Sequence, residues 1–121
     1  MNPEGTPMKY ALLVYETRSD FDDRTDEARR AEYWAGSSAY ATSLEDRLSG
    51  GAALHGIETA TTVRLRDGER LVQDGPFADT KERLGGFYMI EAENLDEALE
   101  HAARCPSAST GSVEVRPLLE M

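Results

Sequence analysis

Two segments of the chain carry apolar side chains at nearly every position. Residues 8–16 read Met-Lys-Tyr-Ala-Leu-Leu-Val-Tyr-Glu, and residues 86–91 read Gly-Phe-Tyr-Met-Ile-Glu. Short runs of aliphatic and aromatic residues are typical of β-strands, whose successive side chains point to opposite faces of a sheet. The apolar faces of the first strand are Tyr10, Leu12 and Val14 on one side and Ala11, Leu13 and Tyr15 on the other. We therefore predict two strands that are covered on both faces in the native protein.

A helical spacing of apolar residues follows the first strand. From about residue 26 to residue 49 there is no proline and only one interior glycine, and Gly50-Gly51 offers a favourable helix end. Residues 17–25 are mostly polar, which predicts a connecting loop before this long helix. Its buried face would consist of Ala31, Trp34, Ala41, Leu44 and Leu48. The possible caps in the preceding loop are Ser19, Asp20 and Thr25.

The second half of the chain predicts a hairpin, a second helix and a last strand. Extended segments at 52–57 and 60–66 are followed by Asp67-Gly68, which separates two alternating runs and indicates a β-hairpin. Asn94 begins a helix that Pro106 ends, and residues 113–118 alternate as a strand. Glu97 would be the capping-box partner of Asn94. The predicted buried face of this helix is Leu95, Ala98, Leu99, Ala102 and Ala103.

The order of these elements predicts the fold class. It is a βαβ-βαβ pattern with an added hairpin, on a mainly antiparallel sheet, which is the ferredoxin-like α+β arrangement. Two helices cover one face of such a sheet, so we expect a second copy of the chain to cover the other face in a homodimer. Residues 8–121 would form this single domain, and residues 1–7 would be a flexible tail.

Composition excludes several classes of function. A net charge of −10 disfavours nucleic acids and anionic membranes, and it serves either solubility or a docking face for a basic protein. The single Cys105 and two distant histidines give neither a disulfide nor metal-ligand spacing. The chain has no phosphate loop, nucleophile elbow or dinucleotide fingerprint, so we predict no cofactor. It also has no apolar run of membrane-spanning length and no leader pattern, so we expect a cytoplasmic protein.

Candidate chemistry concentrates in residues 74–82, Asp-Gly-Pro-Phe-Ala-Asp-Thr-Lys-Glu. The carboxylate of Asp74 is a candidate general acid or base, or alternatively a cap of the Gly75-Pro76 turn. His55 is the best-suited base in the chain, although a structural hydrogen bond is the simpler role. The sequence predicts a catalytic pair, Asp74 and His55, if the protein is an enzyme.

Other residues near this loop are candidate ligand-binding groups. Lys81 could hold an anionic substrate or pair with a neighbouring carboxylate. Tyr15, Phe77 and Tyr88 could line a pocket for an aromatic molecule or could pack in the core. His101 is predicted on the solvated face of the second helix, among charged residues.

Several motifs in order resemble a known family. They are Met-Lys-Tyr-x-Leu-Leu-x-Tyr at residues 8–15, Asp-Gly-Pro-Phe-Ala-Asp-Thr-Lys-Glu at 74–82, Leu-Gly-Gly-Phe-Tyr at 84–88, Leu-Asp-Glu-Ala-Leu-Glu-His-Ala-Ala at 95–103 and Gly-Ser-Val-Glu-Val-Arg-Pro at 111–117. Together they resemble the YCII-related proteins of the DGPF type, over nearly all of residues 8–118.

The resemblance implies a dimeric α/β-barrel fold. It also implies two different functions, because the wider family includes a dehydrochlorinase of a chlorinated aromatic ring, while DGPF-type genes often neighbour genes of extracytoplasmic-function sigma factors. In the enzyme-like branch a histidine early in the first helix pairs with an aspartate at the position of Asp74. This chain has Tyr33 and Trp34 in that helix and no histidine.

Two functions are therefore predicted. The first is a homodimer that binds a small organic molecule in a cleft by the Asp74 loop, with lyase-like or dehalogenase-like proton transfer as its enzymatic form. The alternative is a non-catalytic regulatory module that works with a sigma factor or another protein through its acidic surface.

Overall fold

Six β-strands and three α-helices lie within residues 7–119, the part of the chain that the computed structural model describes. The strands alternate with helices in the predicted βαβ-βαβ order, and a hairpin lies between the two halves. The elements are β1 (Met8–Glu16), α1 (Arg18–Asp23), α2 (Arg30–Ser43), β2 (Leu48–Ala53), β3 (Thr61–Arg66), β4 (Glu69–Asp74), β5 (Arg83–Ala92), α3 (Leu95–Ala103) and β6 (Ser112–Pro117). The predicted tail, apart from Pro7, lies outside the described residues.

Four strands form an antiparallel sheet in the order β2-β5-β1-β6, and β3 and β4 form a separate two-stranded sheet. This order, with β1 and β5 in the middle, is that of the ferredoxin-like fold, which confirms the predicted α+β class. The pairing of β1 with β5 shifts by one residue after the Val14–Gly86 pair, so that Tyr15 lies opposite Leu84 and Gly85 is left over. This bulge brings Gly85 to the wall of a cavity between the sheet and the helices.

The hydrophobic core lies between the sheet and the helices. Alternate residues of β1 are buried, as a strand with one covered face requires. Leu12, Leu44 and Ile90 are 0% exposed, and each side chain contributes about 1.5–3 kcal/mol by leaving water. The buried apolar residues are Tyr10, Leu12, Val14, Tyr40, Leu44, Ile90, Ala92, Ala98, Ala102 and Cys105.

The opposite face of the sheet is apolar at its centre, where it is only half-buried. Leu13 lies opposite Phe87 and Ala11 lies opposite Met89, all on the two central strands, and all four are partly exposed. We call these four residues the open sheet face. Central strands with apolar side chains on both faces were predicted, and the second copy that would cover this face stays a prediction.

The prediction of one helix over residues 26–49 was wrong at both ends. The loop predicted at residues 17–25 contains α1, because Thr17 and Asp20 form a reciprocal capping box: the Thr17 hydroxyl accepts from the Asp20 amide and the Asp20 carboxylate accepts from the Thr17 amide. Gly50-Gly51 does not end a helix but pairs with β5. A Cβ atom on Gly51 would lie 2.5 Å from the Phe87 carbonyl oxygen, so the glycine allows close strand pairing.

The buried face of α3 also differs from the prediction. Asn94 caps the helix as expected, because its side chain accepts from the Glu97 amide. Leu95 and Leu99, however, are 48% and 45% exposed, and the buried face consists of Ala98, His101 and Ala102. The assignment of His101 to a solvated face was therefore wrong. His101 lies on the same buried side of α3 as the small residues Ala98 and Ala102.

The predicted hairpin is present. Asp67 and Gly68 both have positive φ angles, of 52° and 78°, as a two-residue turn with the twist of a hairpin requires. The apolar side chains of this hairpin are exposed, with Val63 at 61% and Leu65 at 68%. Within residues 7–119 no helix is both long and apolar enough to cross a membrane.

Candidate functional site

A cavity of about 360 Å³ lies between α2 and the edge of the sheet. It is bounded by Trp34 and Ala41 of α2, Ala52 of β2, Tyr88 of β5, and Cys105. We call it the inner cavity. Most of its wall is apolar, and its two charged side chains lie together at one end.

That end is a buried cluster of Glu16, Arg24 and Tyr33. The Nη2 atom of Arg24 donates to Oε1 of Glu16, and the two side chains are only 8% and 2% exposed. Nε of Arg24 donates to the Tyr33 hydroxyl at 3.1 Å, and that hydroxyl donates to Oε2 of Glu16 at 2.5 Å. Each carboxylate oxygen therefore has a donor, and the three side chains form a closed ring of contacts.

Arg24 also joins separate parts of the backbone. Its Nη1 donates to the Leu54 carbonyl at 2.5 Å, and its Nη2 donates to the Gly85 carbonyl at 2.8 Å. A Cβ atom on Gly85 would clash with Oε1 of Glu16, so glycine at the β5 bulge leaves room for the cluster. The guanidinium lies over the Phe21 ring at 4.4 Å. Arg24 thus fixes the end of β1, the bulge of β5 and the segment after β2.

Burial changes the proton affinity of this end of the cavity. It raises the pKa of Tyr33, and the neighbouring carboxylate of Glu16 raises it further, so the phenol keeps its proton at neutral pH. Burial also raises the pKa of the Cys105 thiol. Burial by itself lowers the pKa of Arg24, but the contacts with Tyr33 and Glu16 outweigh it, and the net direction is upward.

A second cavity, of about 630 Å³, lies under the Asp74 loop. It is bounded by Tyr15, His55, Phe77 and Arg83, with apolar walls between them. We call it the loop cavity. Three of the predicted site residues, Tyr15, His55 and Phe77, are thus brought to one cavity, although Phe77 is 80% exposed.

The other predicted site residues lie elsewhere. Asp74 is the last residue of β4 and Lys81 lies in the loop, both exposed and neither among the residues that line the two cavities. Tyr88 lines the inner cavity and packs edge to face on Tyr40, with ring centroids 5.2 Å apart. The catalytic pairing of Asp74 with His55 stays a prediction.

The cluster residues were not predicted from the sequence. A signal existed for Glu16, because it continues the every-second-residue pattern of Tyr10, Leu12 and Val14 into the buried face. Arg24 lies in a polar segment that gives no such signal. Among residues 7–119 no group of three His, Cys, Asp or Glu side chains is placed to hold a metal ion.

Known proteins resemble this chain in sequence and in fold. An uncharacterised protein of Rhizobium meliloti (strain 1021) is 41% identical over 116 residues, which cover 92% of each chain. The uncharacterised protein YjpA of Bacillus subtilis (strain 168) is 42% identical over 52 residues, covering 43% of this chain and 58% of the relative.

Among solved structures, the 5-chloro-2-hydroxyhydroquinone dehydrochlorinase TftG of Burkholderia phenoliruptrix AC1100, in complex with 2,5-dihydroxybenzoquinone, superposes with a TM-score of 0.58. The superposition covers 94% of this chain and 96% of TftG at 17% sequence identity, so the likeness concerns the fold. The sequence profile of the YCII-related domain matches residues 8–121. This match, with the relative that is 41% identical over 92% of its length, shows that the chain belongs to the family of YCII-related domain proteins.

Proposed function

We propose that the protein binds a small organic molecule in the inner cavity and acts on it by lyase-like acid–base chemistry. The observation that carries this proposal is the buried Glu16–Arg24–Tyr33 cluster at one end of an otherwise apolar cavity. Ligand sites in proteins are typically apolar hollows with a few convergent polar groups. The sequence predicted a cleft by the Asp74 loop, but the inner cavity has the more deeply buried polar groups.

The size of the inner cavity suits a ring-shaped ligand. A cavity of about 150 Å³ accepts benzene in a protein core. The inner cavity, at about 360 Å³, has room for one substituted aromatic ring or two fused rings. The ring would lie between Trp34 and Tyr88, with a hydroxyl or carbonyl substituent directed to the polar end.

The proposed chemistry is an elimination. The carboxylate of Glu16 would take a proton from the ligand, the electrons of that bond would form a new double bond, and the leaving group would depart with the electrons of its own bond. Such a reaction has no net oxidation and balances without a co-reactant. Arg24 and Tyr33 would orient the carboxylate, and the fold's likeness to a dehydrochlorinase supports this reaction class.

Binding is tested with 2,5-dihydroxybenzoquinone by isothermal titration calorimetry. Tyr33→Phe removes one hydrogen bond at the polar end, and we expect about a fivefold loss of affinity. Tyr40→Phe is the matched control. The Tyr40 hydroxyl donates to the His101 carbonyl at 2.6 Å, and Tyr40 is not among the residues that line the inner cavity. Equal affinities of wild type and Tyr33→Phe, or no binding of the quinone and of a panel of hydroxylated and chlorinated phenols, would contradict the proposal.

The reaction is tested separately by chloride release from chlorinated hydroquinones, which Glu16→Gln should abolish.

We also propose that the active form is a homodimer. The support is the open sheet face, where apolar side chains of the two central strands remain partly exposed in a single chain.

A further inference from the structure

The loop cavity, which the proposed function does not use, has a cationic side chain with an unused donor. Arg83 lines this cavity, and its Nη2 donates to Oδ1 of Asp79 at 3.0 Å. Its Nε is buried and finds no hydrogen-bond partner among residues 7–119. A buried N–H without an acceptor is costly, so it marks a place where an acceptor from a ligand would be favoured.

The geometry of the guanidinium selects the kind of acceptor. Nε and Nη2 lie on the same edge of the group, and this edge matches the two oxygens of a carboxylate. Asp79 occupies only Nη2 and is itself 83% exposed, so its ion pair with Arg83 is weakened by water. An incoming carboxylate that bridges both nitrogens can therefore displace Asp79.

The rest of the loop cavity selects the body of the ligand. Its walls include Leu54, Ile57, Pro76 and Leu84, and at about 630 Å³ it holds more than one ring. Glu82 is the acidic residue of the lining, and its Oε1 accepts from the Ser112 hydroxyl at 2.6 Å. With a net charge of −10, the protein disfavours multiply charged anions near this carboxylate.

We infer that the loop cavity binds a small organic acid, a single carboxylate on an apolar aromatic body, with Arg83 as the anion-binding group. The sequence predicted Lys81 for this role, but Lys81 is exposed and does not line the cavity, whereas Arg83 does. The site is separate from the inner cavity, because none of Glu16, Arg24 and Tyr33 lines the loop cavity.

The test uses 2-naphthoate, its neutral isostere 2-naphthamide, and inorganic phosphate, each titrated calorimetrically into the full chain. We expect naphthoate to bind at least about tenfold more tightly than the amide. Arg83→Gln should remove this difference, and Arg83→Lys should keep part of it because the charge remains. Asp79→Asn, which frees the guanidinium, should tighten naphthoate binding a few-fold and leave the amide unchanged.

Three outcomes would overturn the inference: equal affinity of the wild-type protein for naphthoate and the amide, unchanged naphthoate binding by Arg83→Gln, or phosphate binding as tight as naphthoate. Tyr33→Phe locates the site. Unchanged naphthoate affinity in this variant supports the loop cavity, and a loss of affinity would move the acid to the inner cavity. A failure of this inference is thus distinguishable from a failure of the proposed function. Circular dichroism of each variant confirms folding.

Discussion

The Glu16–Arg24–Tyr33 cluster and the loop at residues 74–82 are both rich in charge, but they are built in opposite ways. In the cluster, Glu16 is 2% exposed and both of its oxygens accept hydrogen bonds from residues of other elements. In the loop, Phe77 is 80% exposed, and the side-chain hydrogen bonds of Asp79, Thr80 and Glu82 all lie at the exposed surface. The Thr80 hydroxyl, for example, donates to the carbonyl of Glu82.

This difference shows that a dense motif and a buried site are separate properties. The loop concentrates its residues in one short stretch of sequence, whereas the cluster collects them from β1, from the residue after α1, and from α2. Desolvation makes the hydrogen bonds of the cluster electrostatically stronger and makes any unpaired member costly. The free energy at stake is therefore expected to be large in the cluster and small in the loop.

The largest effect is expected at Arg24. Arg24→Met leaves the carboxylate of Glu16 buried without its cation, and removal of one partner of a buried pair costs about 3–5 kcal/mol. Urea denaturation measures this as a fall in the free energy of unfolding. Arg29→Met is the matched control, because Arg29 pairs with Asp23 at 3.4 Å while 67% exposed. That ion pair is worth about 0–1 kcal/mol.

A double variant separates the loss of an ion pair from the burial of a lone charge. Glu16→Gln combined with Arg24→Met removes both charges, so it should be more stable than Arg24→Met alone. If Arg24→Met costs no more than Arg29→Met, the cluster is not the buried network described above, and the comparison with the loop fails.

The sequence predicted the fold better than it predicted the cluster. The strands, the hairpin at Asp67-Gly68 and the Asn94 cap follow from local chemistry, because each depends on residues a few positions apart. The cluster depends on contacts such as that of Arg24 with Gly85, which are 61 residues apart. Such contacts form only when the whole chain has folded, and no local pattern specifies them.

The residues of the candidate site are also far apart in the sequence, so local patterns specify them only in part. Tyr15, His55 and Phe77 line one cavity, and their role in binding a ligand there stays a prediction. The error in the long helix had a different cause: a run without proline permits a helix, but the Thr17–Asp20 capping box starts one earlier and strand pairing with β5 ends the helical region before Gly50. In this region, capping and tertiary strand pairing determine the helix ends more strongly than intrinsic helix propensity does.

A second, smaller effect tests whether the open sheet face stays exposed in the assembled protein. Leu13→Glu places a charge on the open sheet face, next to Phe87 across the strand pair. If a second copy covers this face, the variant should raise the dimer dissociation constant by at least about a hundredfold, close to 3 kcal/mol. Sedimentation velocity over a range of protein concentrations measures the change.

Leu99→Glu controls for the added charge, because Leu99 is 45% exposed on α3, away from the open sheet face. Wild-type protein that sediments as a single folded chain at every concentration would exclude the dimer. A dimer would also alter the comparison between the cluster and the loop. Tyr15 lies on the same face of β1 as Leu13, and Tyr15 lines the loop cavity. The partner would then form part of the surroundings of that cavity.

The smallest effect concerns His101, which is buried like the cluster but incompletely paired. Its Nδ1 lies 2.5 Å from Nη2 of Arg104, and its Nε2 is 3.8 Å from Oε1 of Glu97 and has no hydrogen-bond partner among residues 7–119. Burial lowers the pKa of His101, Arg104 and Arg47 lower it further, and Glu97 opposes them. A buried polar group therefore need not be a fully satisfied one.

This direction of shift predicts how stability depends on pH. The unfolded chain binds a proton at His101 near pH 6.5, but the folded chain resists it, so the unfolded state holds more protons below that pH. The free energy of unfolding should therefore fall as the pH drops from 7.5 to 5.5, because the folded chain resists protonation of this residue. His101→Gln should flatten the dependence in urea denaturation at the two pH values. An unchanged slope in His101→Gln would mean that the imidazole is protonated as easily in the folded protein as in the unfolded chain, and that burial of this side chain, unlike burial of the cluster, has no electrostatic cost.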